Sequence, residues 1–115
     1  MSKLLKICDG NEAAAYVAYA FSEVAGIYPI TPSSPMAEKT DEWAANGKKN
    51  IFGQTVRLVE MQSEAGAAAH VTAHWRPVLC HQLHRLPGLM LMIPTMHRIS
   101  GERLPGVLHV ASRTV

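Results

Sequence analysis

Three residues of this chain combine a reactive side chain with neighbours that would hold it still. Glu64 sits in VEMQSEAG, where an apolar, β-branched stretch gives way to small residues. Its carboxylate would therefore stand at a helix start, just after a buried strand. A carboxylate there can hold or pass a proton, or simply serve the positive end of the helix dipole. Thr31 sits in YPITPSSP, between two prolines. A hydroxyl on such a fixed loop can hold a carboxylate with little ordering cost, or close a local turn. Arg113 sits in HVASR. A planar guanidinium can pair a carboxylate through two parallel hydrogen bonds; a surface arginine near a strand end is the plain alternative.

A fourth cluster is less ordered. Residues 70–88 read HVTAHWRPVLCHQLHRLPG and hold His70, His74, His81 and His84, with Cys80 between the pairs. Spacings of four and three would let each pair share a helix face and bind a metal ion. The common zinc patterns are not matched: there is no HExxH and no acidic residue between the histidines. The two cysteines, Cys8 and Cys80, form no CxxC pair, so no iron–sulfur or zinc-ribbon motif is present. Our expectation is that no metal site exists here.

Several elements must position these residues. Apolar residues at Ala13, Val17, Ala20, Phe21 and Val24 have helical spacing, which predicts a helix from Asn11 to Val24 with Gly26 as its stop. A short strand should follow from Gly26 and end in a loop at Thr31. Ser34 as cap and Pro35 in the first turn open a second helix to about Asn46, ended by Gly47. Thr55 to Val59 predicts a strand, and Gln62-Ser63-Glu64 starts a third helix. Pro77 would interrupt any continuation of that helix. Leu89 to Ile93 is a continuous apolar run, which predicts a strand buried on both faces. Part of 94–103 should be helical, and Val107 to Ala111 should be a last strand. Such alternation implies an α/β chain with a parallel sheet flanked by helices. Pro29, Pro32, Gly66, Met90 and Met92 should serve structure: loop shape, close helix packing and core filling.

Composition narrows the class. At 115 residues, 48% hydrophobic and 17% charged, the chain is one small globular domain at most. A net charge of +2 with scattered Lys and Arg leaves no footprint for nucleic acid. The start, MSKLLKICDG, lacks the apolar run of a signal peptide, and no segment suits a membrane span. A cytoplasmic location is the expectation that remains.

Outside 70–88 the chain has a strong likeness. DGNEAAAYVAYAFSEVAGIYPITPSSPMAE, DEWAANGKKNIFGQ, VEMQSEAGAA and LMLMIPTMHRISGERLPGVLHVASR resemble successive blocks of the pyruvate:ferredoxin (flavodoxin) oxidoreductase family. The resemblance covers about residues 9–69 and 89–113. It implies that 1–115 is the N-terminal part of the domain that holds the aminopyrimidine of thiamine diphosphate, an incomplete version of that fold. It also implies roles. Glu64 would share a proton with the pyrimidine ring nitrogen and so be catalytic and cofactor-binding. Thr31 would contact cofactor and pyruvate. Arg113 would bind the pyruvate carboxylate, although the family continues Ala-Arg-Ala where this chain has Ser112-Arg113-Thr114.

The intact enzymes of that family oxidatively decarboxylate pyruvate to acetyl-CoA and pass electrons to ferredoxin or flavodoxin, as in anaerobic metabolism. They use a magnesium-held diphosphate, iron–sulfur clusters and coenzyme A, and are expected to be homodimers. This chain has no GDG motif for the diphosphate side. It is therefore expected to supply one wall of the pocket and to be inactive alone. Other readings are a non-catalytic module that binds metal through the four histidines, and a module that assembles with separately encoded subunits.

In the family, 70–88 would read much like VHGALAAGALTTNFTASQG. With one allowed choice of codons, residues 71–80 read one base earlier give HGALAAGAL. Residues 81–88 read one base later give TNFTASQG. Two separate stretches each recover the expected string in the expected order. The resemblance thus implies compensating frameshifts within 70–88, and a stretch that weakens folding.

Overall fold

The computed structural model describes residues 5–73, 80–84 and 86–111. Helix α1 (Gly10–Phe21) precedes β1 (Val24–Ile27), α2 (Ser34–Ala45), β2 (Arg57–Glu60), α3 (Glu64–Ala73), β3 (Cys80–His84), α4 (Leu86–Leu91), α5 (Ile93–Gly101) and β4 (Val107–Val110). The four strands form one parallel sheet in the order β2-β1-β3-β4. The chain moves from β1 outward to β2, then crosses to β3 on the other side of β1. With the right-handed crossovers such units take, α2 must lie on one face and α3, α4 and α5 on the other. The packing agrees: α1 rests on α2, and α3 meets both α4 and α5. This is the expected partial α/β fold with a helix-flanked parallel sheet.

Helix α1 starts where its cap allows. The Asp9 carboxylate accepts from the Glu12 N–H at 2.7 Å, so it satisfies one of the free first-turn donors as well as facing the dipole. Ala15, Ala18 and Tyr19 are buried at helical spacing. The expected end at Val24 is corrected to Phe21. Ser22 turns extended and its hydroxyl donates back to Ala18 O at 2.6 Å. Val24 then opens β1, whose four residues are all buried. The strand thus begins two residues before the position the glycine suggested.

The expected strand at Leu89–Ile93 is also corrected. That run is split between α4 and α5. Leu and Met lose little rotamer freedom in a helix and lack the β-branching that favours strands. Burial follows the helix as well: Met92 is fully enclosed, whereas Met90 and Leu91 are more than 60% exposed. Met92 therefore fills the core as expected, and Met90 does not. The strand that belongs between α3 and β4 is β3, inside the histidine-rich stretch.

Two apolar clusters lock α1 and α2 to the sheet. Ala15, Ile27, Met36 and Ala37 form one; Tyr19, Ala25 and Val56 form the other, with Trp43 and Leu58 packed against both. The Lys48 ammonium lies 4.0 Å from the Trp43 ring centre and 4.1 Å from that of Tyr16. Burial, and secondarily the charge of Lys6, hold this lysine's pKa below its ordinary value. Tyr19 donates its hydroxyl to Lys48 O at 2.6 Å, so the chain leaving α2 is tied to α1 at both ends of this residue.

Buried Asn50 then sets the approach to β2. Its Nδ2 donates to Ser22 O at 2.7 Å, and its Oδ1 accepts from the N–H groups of Phe52 and Gln54 at 3.0 and 2.9 Å. Asn50→Ala leaves those groups without this partner. A loss of about 2–3 kcal/mol in unfolding free energy is expected, measured by urea titration. A change below about 0.5 kcal/mol, the size of an ordinary surface substitution, would contradict this account.

Candidate active site

Parallel strands bring their following loops to one edge, so residues after β1, β2 and β3 gather there. Ile27 and Glu60 are register partners, and the ladder continues one step as Met61 N–H donates to Ile27 O at 2.9 Å. Thr31 and Glu64 each lie four residues past that pair, at the carboxyl edge of the sheet. The strand order reverses between β1 and β3. In open α/β sheets this switch point is where loops diverge to opposite faces and leave a crevice.

Thr31 follows β1 on the expected loop, which is tightly held. Ile30 O accepts from the N–H groups of Ser33 and Ser34 at 3.0 and 3.1 Å and from the Ser33 hydroxyl at 2.7 Å. Asn11 Nδ2 donates to Pro32 O at 3.1 Å and ties the loop to the first turn of α1. The Thr31–Pro32 peptide is cis. Thr31 itself is exposed, so its hydroxyl is accessible at a position fixed by its neighbours. Ser33, rather than Ser34, precedes α2, and its side chain secures the loop instead of capping the helix.

Glu64 opens α3 as expected and is half-buried. Ser63 supports it: its hydroxyl accepts from the Gly66 N–H at 3.0 Å, and its carbonyl from the Ala67 N–H at 2.9 Å. A Cβ at Gly66 would stand 2.8 Å from that hydroxyl oxygen. Gly66 thus makes room for the cap, not for helix packing. Ala67 and Ala68, three and four residues further on and so on the same face of α3 as Glu64, are buried. The Glu64 carboxyl reaches across to Gly88, where a built Cβ would meet Cγ at 3.0 Å and Oε1 at 3.2 Å. Gly88 lies four residues past the end of β3. Glu64 therefore reaches from the β2 connection to the β3 connection, beside the switch point.

Arg113 lies outside the described residues, as does His74. His70 is on α3. His81 and His84 are on β3, so the helix face expected for that pair does not exist. Among the described residues, no group of three or more His, Cys, Asp or Glu could hold a metal ion. Nor, among the described residues, is any helix long and apolar enough to cross a membrane. Among the described residues, the cavities beside α1 and α2 include one of about 340 Å³ lined by Lys6, Cys8, Tyr16 and Trp43 among others, and one of about 230 Å³ beside Pro29, Ala37 and Glu60. Neither includes Thr31 or Glu64. Sequence reasoning missed Asn11, Ser33 and Gly88. Asn11 and Gly88 had no local signal, because their partners lie 21 and 24 residues away.

Residues 16–115 match the family model described as "Pyruvate flavodoxin/ferredoxin oxidoreductase, thiamine diP-bdg". The chain belongs to this family. As members of the pyruvate flavodoxin/ferredoxin oxidoreductase family, its residues are 60% identical to pyruvate-flavodoxin oxidoreductase of Klebsiella pneumoniae, over 100% of this chain and 10% of that protein. Identity to pyruvate:ferredoxin oxidoreductase of Moorella thermoacetica is 61%, over 93% of this chain and 9% of that protein. A mitochondrial pyruvate dehydrogenase [NADP(+)] of Euglena gracilis is 52% identical over 91% of this chain and 6% of its own length. The chain thus spans about a tenth or less of these three relatives. Their names differ in the electron acceptor and agree on pyruvate.

Proposed function

We propose that this chain forms the pyrimidine and pyruvate side of the active site in a pyruvate:ferredoxin or flavodoxin oxidoreductase, which converts pyruvate and coenzyme A to acetyl-CoA. The observation that carries this reading is the reach of Glu64 from the head of α3 to Gly88, on the same sheet edge as Thr31. The donor set suits the cofactor: one half-buried carboxylate for a ring nitrogen and one accessible hydroxyl for a polar ligand atom. Thiamine diphosphate, when bound, supplies the electron sink that decarboxylation of a 2-oxoacid needs.

The residues of this chain have separable tasks in that reading. Glu64 holds a proton at the ring nitrogen, in a half-buried setting where a charge-assisted hydrogen bond is stronger than in water. Thr31 donates its hydroxyl to the substrate carboxylate or the cofactor. Its loop is already pinned by Ile30 O and Asn11, so little freedom is lost on binding. Arg113 pairs the pyruvate carboxylate bidentately.

The diphosphate with its magnesium, the iron–sulfur clusters and the coenzyme A site belong to parts of the enzyme beyond these residues. We place the assembled enzyme in the cytoplasm as a homodimer. Within 1–115, residues 70–88 are read as a frameshifted stretch, and the chain by itself as inactive. The test is co-expression with a polypeptide carrying the GDG-bearing domain and the cluster domains. Pyruvate-dependent viologen reduction should require both partners. Turnover by this chain alone, or no turnover with a partner that demonstrably associates, would refute the proposal.

A further inference from the structure

We infer that Gly88 is a positioning residue for Glu64, and that its missing side chain sets where the Glu64 carboxyl stands at the switch point. The inference rests on the proposed function for its catalytic meaning, but its geometry is independent of it. A Cβ on Gly88 would lie 3.0 Å from Glu64 Cγ, 3.2 Å from Oε1 and 3.5 Å from Cδ. All three contacts are to this one side chain. The first two are closer than a methyl group and a carboxyl normally approach, so a substitution requires the glutamate to give way by a few tenths of an ångström.

Conformational need does not explain the glycine. Gly47 and Gly53 have positive φ, whereas Gly88 does not and sits inside α4. Alanine is the stronger helix former at such a position. Gly88→Ala should therefore leave the helix at least as stable and displace Glu64. The neighbouring chemistry gives a reason to keep the space. Gly88 is buried on the connection that follows β3, and Glu64 reaches it from the head of α3. The separation of the two effects distinguishes a positioning role from a structural one. Gly101 serves as the control, because a Cβ there meets nothing within 4 Å.

The test follows the Glu64 side-chain carboxyl by carbon NMR across a pH titration, in the chain and in Gly88→Ala and Gly101→Ala. Gly88→Ala should move the carboxyl resonance and its titration midpoint; Gly101→Ala should move neither. A double-mutant cycle with Glu64→Asp, which withdraws the carboxyl by one methylene, should show strong coupling to Gly88→Ala. If Gly88→Ala proves poorly folded, the cycle is run on the chain with 70–88 replaced by the family string, in which residue 88 is again glycine. An unmoved Glu64 resonance, or a Gly88→Ala effect of equal size with Glu64→Asp, overturns the inference. Thiamine diphosphate is then titrated into the unsubstituted chain. If it leaves the Glu64 resonance unchanged while Gly88→Ala shifts it, the cofactor reading falls and the positioning role stands. If both shift it, Gly88→Ala should weaken cofactor binding by about 10- to 100-fold, the loss of one hydrogen bond to a charged group.

Discussion

Glu64→Gln is expected to lower pyruvate-dependent turnover of the assembled enzyme by about 10²–10⁴-fold, with little change in stability. The amide has the shape of the carboxyl and can keep its place against Gly88. It can neither take nor share a proton in the same way, so the chemistry is removed and the packing kept. The competing account makes Glu64 a first-turn glutamate that only faces the helix dipole. That interaction contributes about 0.3–1 kcal/mol at an exposed position, and losing it would lower stability slightly and leave turnover alone. The two accounts therefore predict opposite pairs of results. Turnover and urea midpoint measured on the same preparation decide between them. Turnover within a few-fold of the unsubstituted enzyme, with a lowered midpoint, would return Glu64 to a structural role. Glu64→Asp should fall between the two, since it keeps the proton chemistry and shortens the reach across to Gly88.

What could be read from the sequence depended on how local the determinant was. Asp9, Pro35 and Gly47 act within a turn or two of themselves, and the helices they bound lie within a few residues of expectation. The end of α1 was misjudged because Val24 fits the helical period, whereas a strand two residues earlier buries it better. The run 89–93 was misjudged because a short apolar segment has no period of its own, and burial on both faces looks the same for strand and helix. Thr31 and Glu64 were legible as reactive groups in constrained settings. Their gathering at one edge was not, because it depends on the register of Ile27 with Glu60, a pairing across 33 residues. The contact between Glu64 and Gly88 depends further on β3, which lies where the sequence looks least like a strand. The roles proposed for Thr31 and Glu64 come from the family resemblance; the sheet brings the two residues to one edge.

Replacing residues 70–88 with VHGALAAGALTTNFTASQG should stabilise the chain by at least about 1 kcal/mol, the low end of the cost of enclosing one polar group without a partner. The stretch spans the most demanding part of the fold. It holds the end of α3 and all of β3, and β3 lies between β1 and β4 in the sheet. Interior strands of parallel sheets are covered on both faces and favour apolar or β-branched residues. The present strand reads Cys-His-Gln-Leu-His and is followed by Arg85. Polar groups enclosed there without partners would each cost about 1–3 kcal/mol, against a total margin of about 5–15 kcal/mol for a domain. The family string removes Pro77 and both arginines of the stretch, continues α3 with alanine and leucine, and gives the strand threonine and phenylalanine. The replaced chain should show a sharper and later urea transition than the present one. Equal midpoints would mean that this stretch already satisfies the fold. Independently, the nucleotide sequence must contain the two strings in the shifted frames; codons that cannot yield them would exclude a frameshift whatever the stability result. Because Gly88 is common to both readings, the replacement leaves the glycine beside Glu64 unchanged.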